Sequence, residues 1–200
     1  IPAKALLWNG TLSGKEDGEA LLRLADARGL RLIAAHSGLA PYKLDDGTEL
    51  TVLWPSAEPL TSNGRMPVMR DQNGRSVVLQ LVLEGFAFLL PGDIGAAEER
   101  AIVARQQETD AGIDVMKIAH HGSRHSTAAE WLDYWRPREA VISAGRNNVY
   151  GHPHPDTLGR IAAVGAQVRR TDLNGETQYR IAGGALSVRT AAGGQLENHS

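Results

Sequence analysis

The chain has 200 residues, 42% of them hydrophobic, enough to fill one core and too few for two comfortable domains. A net charge of -2 and a pI near 6.4 exclude a globally basic nucleic-acid binder, so any grip on a polyanion comes from a local patch. The absence of cysteine excludes thiolate metal sites and disulfides, leaving His, Asp and Glu as metal donors, and no apolar run reaches the roughly 18 residues of a membrane span.

Residues 1–8 read as a strand closed by Asn9-Gly10, and Ala20, Leu21, Leu24 and Ala25 predict a helix over 17–27 with Gly29 past its end. Residues 30–35 follow as a strand, and His36 at its end has no partner motif and reads as structural. A hairpin is expected over 42–54 about Asp45-Asp46-Gly47, then a long Pro-, Ser- and Gly-rich loop over 56–74. Two apolar strands, 76–83 and 86–90, turn about Glu84-Gly85.

The second ends at Pro91-Gly92-Asp93, which carries a carboxylate to the surface end of a buried strand. A helix over 96–107 opens with Glu98-Glu99, read as charge favouring the helix dipole. A strand over 115–119 runs into His120-His121-Gly122-Ser123. Thr127-Ala128-Ala129-Glu130 has the form of a capping box, with Ser126 and Thr127 as caps, and starts a helix through Leu132 and Trp135. A strand over 139–143, a helix over 155–164, strands over 167–170 and 177–181 about Asn174-Gly175, and a last short strand over 186–189 complete a single domain over 1–190. Residues 191–200 read as a loose tail.

Five of the seven histidines fall between Asp114 and Pro155, on turns that follow apolar strands. Imidazole ligates metals and moves protons near neutral pH, and crowding on such turns describes an active-site rim. Asp93, weak alone, becomes a credible ligand beside them. The turn His152-Pro153-His154 precedes a helix start, where free N–H groups favour an anion such as phosphate.

Gly92-Asp93, Asp114-Val115-Met116-Lys117-Ile118-Ala119-His120-His121-Gly122-Ser123, Gly145-Arg146-Asn147-Asn148 and Tyr150-Gly151-His152-Pro153-His154-Pro155 together resemble one family. It is the C-terminal metallo-β-lactamase-like domain of ComEC, the channel protein of bacterial DNA uptake. Asn73 to Leu79, Arg170-Thr171-Asp172 and Asn174-Gly175 are similar to it as well, and the resemblance runs from about Thr51 to Ile181.

The resemblance implies an α/β fold, a four-layer αβ/βα sandwich with its metal site at the ends of strands. It implies that Asp93 bridges two metals and His120 closes the ligand set, His121 being the second choice of a pair that sequence does not separate. Catalytic candidates are thus Asp93, His120 and His121. Ser123, Arg146, Asn148, His152 and His154 are candidates for phosphate contact or proton donation. The cofactor implied is a divalent metal, Mn or Zn, in a two-metal site. The partners implied are DNA and the membrane channel of the same polypeptide, in an anchored parent with this domain on the extracytoplasmic side.

The His-x-His-x-Asp-His signature that supplies most ligands in metallo-β-lactamase-like proteins does not occur here, so the expectation is the later part of a larger domain. Three functions follow: a metal-dependent nuclease degrading the non-transported strand, a catalytically degenerate module that guides DNA or docks the channel, or a stand-alone metal-dependent hydrolase of the same fold.

Overall fold

The chain is seen in a computed structural model that describes residues 3–14, 16–56, 66–106, 112–193 and 197–199. Residues 57–65 of the long loop expected over 56–74, and residue 107 of the helix expected over 96–107, lie outside these residues; that helix ends earlier than expected, at Val103, with turns over 104–106.

Seven strands form one mixed sheet in the order β3 (Tyr42–Lys43), β4 (Glu49–Trp54), β5 (Val78–Leu83), β6 (Phe86–Leu90), β7 (Val115–Lys117), β8 (Glu139–Ile142) and β9 (Gln167–Arg170). The first four are antiparallel neighbours, and β6 to β9 run parallel. Parallel neighbours need crossovers, and helices supply them: α2 (Ala96–Val103), α3 (Ala129–Trp135) and α4 (Pro155–Ala163). The expected α/β class is therefore the observed one.

Side-chain alternation explains the layers. Leu89, Met116, Ala140 and Val168 are cross-strand partners in one row, and all pack into the core that holds Ile102 of α2, Trp131, Leu132 and Trp135 of α3, and Ile161 of α4. Phe88, Val115 and Glu139 form the neighbouring row and point to the other face. There β10 (Thr177–Ala182), β11 (Ala185–Thr190) and β12 (Glu197–His199) make an antiparallel sheet. Tyr179 of β10 meets the Phe88 ring edge-on at 6.2 Å and donates its hydroxyl to Glu139 at 2.6 Å, with Arg169 also on that carboxylate. Burial first, then the Glu139 contact, pushes the Tyr179 phenol far above its ordinary range. The strand β12 replaces part of the loose tail expected over 191–200.

Strands β1 (Ala5–Trp8) and β2 (Arg31–Ala34) pair in parallel around α1 (Glu16–Ala27), the expected strand-helix-strand unit. It is tied to the segment ahead of β5 through Leu12, which accepts from Met69 N–H and donates to the Pro67 carbonyl.

The capping of α3 differs from the capping box read in the sequence. Its N-cap is Ala128, and Thr127 sits at φ 58° with its hydroxyl buried and unpartnered. The N–H groups of Thr127 and Ala128 donate instead to the buried Glu99 carboxylate of α2, at 2.6 and 2.8 Å. Ser126 donates to the Ala119 and Ser123 carbonyls. Glu98 does cap α2, accepting from the Gly95 N–H at 3.0 Å.

Candidate active site

The carboxyl ends of parallel strands in α/β sheets are where ligands bind, because the connecting loops splay there. Here the loops after β6, β7 and β8 carry Asp93, His120 to Ser123 and Gly145 to His154. Backbone bonds lock the three loops together: His120 N–H donates to the Gly92 carbonyl at 3.1 Å, and His154 N–H to the Gly122 carbonyl at 2.8 Å. His120, His121 and Gly122 all lie in the left-handed region, with φ of 47°, 56° and 83°. Gly122 also permits the loop contact, since a Cβ there would come within 2.7 Å of Pro153 Cβ. Two consecutive left-handed non-glycine residues are the kind of backbone strain that concentrates at functional sites.

His121 stands nearest Asp93. Its Nδ1 lies 2.8 Å from the Ser143 carbonyl, which can only accept, so Nδ1 carries the hydrogen. In the neutral ring, Nε2 then presents its lone pair toward Asp93 Oδ2 at 3.7 Å. That gap exceeds a hydrogen bond. Metal–ligand distances of about 2.0–2.2 Å put two donors of one ion roughly 3–3.5 Å apart, so the pair fits a shared cation with little movement. A backbone acceptor fixing the far nitrogen is the usual support of a metal-bound imidazole.

The His120 ring meets the His121 ring edge-on at 6.3 Å and that of His152 at 5.9 Å. Burial first, then the neighbouring imidazoles of His120, His121 and His154, hold His152 below the ordinary histidine range, and its Nδ1 is buried without a partner. Among the described residues no group of three or more His, Asp or Glu side chains is gathered closely enough to hold a metal by itself.

Several side chains read as rim contacts have other work. Ser123 is only 4% exposed; its hydroxyl accepts from His125 N–H, and its carbonyl takes the Thr157 hydroxyl. Asn148 folds its own loop, donating to the Gly145 and His152 carbonyls at 2.9 and 2.7 Å and accepting from His152 N–H at 3.0 Å. Arg146 donates to the Asp172 carbonyl at 3.4 Å. His154 caps α4, its Nδ1 accepting from the Asp156 N–H at 3.2 Å, and its Nε2 lies 2.7 Å from an Arg124 guanidinium nitrogen. His36 accepts from Gly38 N–H, a local turn contact.

No family model matches the chain. ComE operon protein 3 of Bacillus subtilis is 38% identical over 114 residues, 57% of this chain and 14% of that protein. Competence protein ComA of Neisseria gonorrhoeae is 34% identical over 119 residues, and Recombination protein 2 of Haemophilus influenzae 35% over 125, covering 60% and 62% of this chain and 17% and 15% of theirs. Over that stretch the chain is similar to these competence and recombination proteins. It spans less than a fifth of the length of those proteins. A solved chain from Parabacteroides distasonis, named as a metal-dependent hydrolase, overlaps 76% of this chain and 62% of its own at 13% identity and a TM-score of 0.46, too loosely to carry an argument.

One residue beside Asp93 was missed in the sequence. Lys117, at the end of β7, donates to the Gly92 and Ile118 carbonyls at 3.2 and 3.3 Å and stands 3.8 Å from Asp93 Oδ1. Burial pulls its pKa down, and the Asp93 charge opposes that. The available signal was a lysine inside the apolar run from Val115 to Ala119, where an unpaired charge is costly.

Proposed function

We propose that the chain is part of a metal-dependent phosphodiesterase that acts on DNA in a competence protein. The observation that carries this reading is the Asp93–His121 pair, two oriented donors 3.7 Å apart at the meeting of three strand-end loops. The similarity to competence proteins supplies the DNA, and the oxygen and imidazole donor set suits Mn or Zn.

Asp93 and His121 would hold the cation, with His120 and His152 on the adjoining rim. A divalent ion bound there would polarise a phosphoryl oxygen and ready a water for attack. Lys117 Nζ stands beside Asp93 and donates to the Gly92 carbonyl, which fixes the turn that aims the carboxylate. His121 is held in one tautomer by Ser143. His152, held below the ordinary histidine range, stands on the rim as a candidate proton carrier. Asp93 and His121 make two donors rather than a full set, and the several-fold longer relatives have chain from which further donors can come. An anchored, extracytoplasmic parent whose channel portion partners this domain belongs to the same proposal. No helix among the described residues is long and apolar enough to cross a membrane.

The test is Mn- or Zn-dependent cleavage of DNA by the full-length parent, compared with its Asp93→Ala and His121→Ala forms. Loss of turnover in both, with the fold kept, supports the enzyme. The second reading, a DNA-binding module without catalysis, is favoured by the absence of a gathered three-donor cluster among the described residues. Salt-sensitive DNA binding by the parent without any turnover would decide for it.

A further inference from the structure

The loop between β8 and α4 holds a large aromatic ring for which the proposed hydrolysis has no use. Tyr150 is 79% exposed. Single exposed apolar side chains are ordinary, but this one is not placed at random. Its ring lies 22° from the plane of the His152 ring, centroids 6.1 Å apart. With His121, Ala144, Gly145, Asn148 and His152 it lines an open pocket of about 260 Å³, which reaches the proposed metal-holding histidine. Three hydrogen bonds, two donated by Asn148 to the Gly145 and His152 carbonyls and one accepted from His152 N–H, fix the loop that carries it. The ring is therefore positioned before any ligand arrives, which lowers the ordering cost of binding.

We propose that Tyr150 is a stacking platform for one unpaired base of a DNA strand, seated in this pocket while the adjoining phosphodiester lies at Asp93 and His121. Bases inside a duplex have both faces covered by their neighbours, so an open aromatic ring engages only a base that is unstacked. A pocket of this size has room for a base. Stacking on an aromatic ring tolerates any base, so the site selects for single strands and frayed ends rather than for sequence. The proposal takes the position of the phosphate from the phosphodiesterase reading, but its test does not depend on turnover.

The experiment is fluorescence anisotropy of this chain, without added metal and at low salt. The probes are a labelled oligothymidylate, the same strand with abasic residues throughout, and a blunt hairpin duplex. Wild type is expected to prefer the base-bearing single strand over both others. Tyr150→Ala should weaken that binding about tenfold, the scale of one base–aromatic stack. Tyr150→Phe should keep it, and Tyr150→Ala should change nothing on the abasic strand. Equal binding of base-bearing and abasic strands, or of wild type and Tyr150→Ala, overturns the stacking site and leaves the phosphodiesterase reading standing. No binding of any DNA by wild type also overturns the stacking site, while the phosphodiesterase reading stands or falls on cleavage by the full-length parent.

Discussion

Glu99 of α2 and Thr127 at the start of α3 are joined by a 2.6 Å hydrogen bond across 28 residues of sequence. The second oxygen of the same carboxylate takes Ala128 N–H at 2.8 Å. One buried side chain thus caps a helix on which the site loop 119–128 ends. Replacing Glu99 with Ala orphans two buried N–H groups, each costing roughly 1–3 kcal/mol. Glu99→Gln keeps one acceptor and should cost less. Urea denaturation of both variants checks the order.

Glu99 also sets a pH dependence. Burial is the larger influence and pushes its carboxyl up, against the pull of Ala128 and Thr127 N–H and of Arg160 and Arg100. The folded state then holds the proton to higher pH than the unfolded chain. This group's contribution is greatest below the ordinary glutamate range and declines as pH rises through the raised folded value. Comparing wild type and Glu99→Gln across that window should show the decline only in wild type.

Asp172 behaves in the opposite sense. Its carboxylate is gripped by Arg170 at 3.1 and 2.6 Å, and that hydrogen-bonded partner holds its pKa below the ordinary range. The stability it lends is present above the unfolded pKa and is lost as pH falls through the folded one. Asp172→Asn should cost roughly 1.5–3 kcal/mol near neutral pH, the range for hydrogen bonds to charged groups, and should flatten the acid limb of a stability-versus-pH curve.

Large-to-small changes separate core from rim. Leu89 is fully buried in the row that meets the helices, and Leu89→Ala should cost roughly 2–5 kcal/mol. Val149 is 90% exposed, and Val149→Ala should stay within about 0.5 kcal/mol of wild type. Thermal midpoints of the two variants make the comparison.

The order of strands and helices was legible because apolar runs and their 3.6-residue spacing report burial directly. So was the gathering of Asp93, His120, His121 and His152, since each follows an apolar strand and parallel strands bring their ends together. What was not legible depended on direction or distance. Adjacent His120 and His121 are alike in sequence, and only their left-handed backbone decides that His121 turns to Asp93. Thr127 has the right form for a cap, but its own φ of 58° removes it from that role, and the cap comes from Glu99. The local backbone bonds of Asn148 and His154, and Arg124 beside His154, depend on loop geometry that the sequence does not show.

The account turns on Asp93 and His121 holding one cation. The most direct measurement is a Mn titration of this chain followed by NMR of the histidine ring protons, repeated on Asp93→Ala. The account predicts that His121 broadens first at substoichiometric Mn, ahead of His36 and His125, and that the Asp93→Ala chain loses this selectivity. Uniform broadening of all histidines, or His121 broadening unchanged without Asp93, would contradict it.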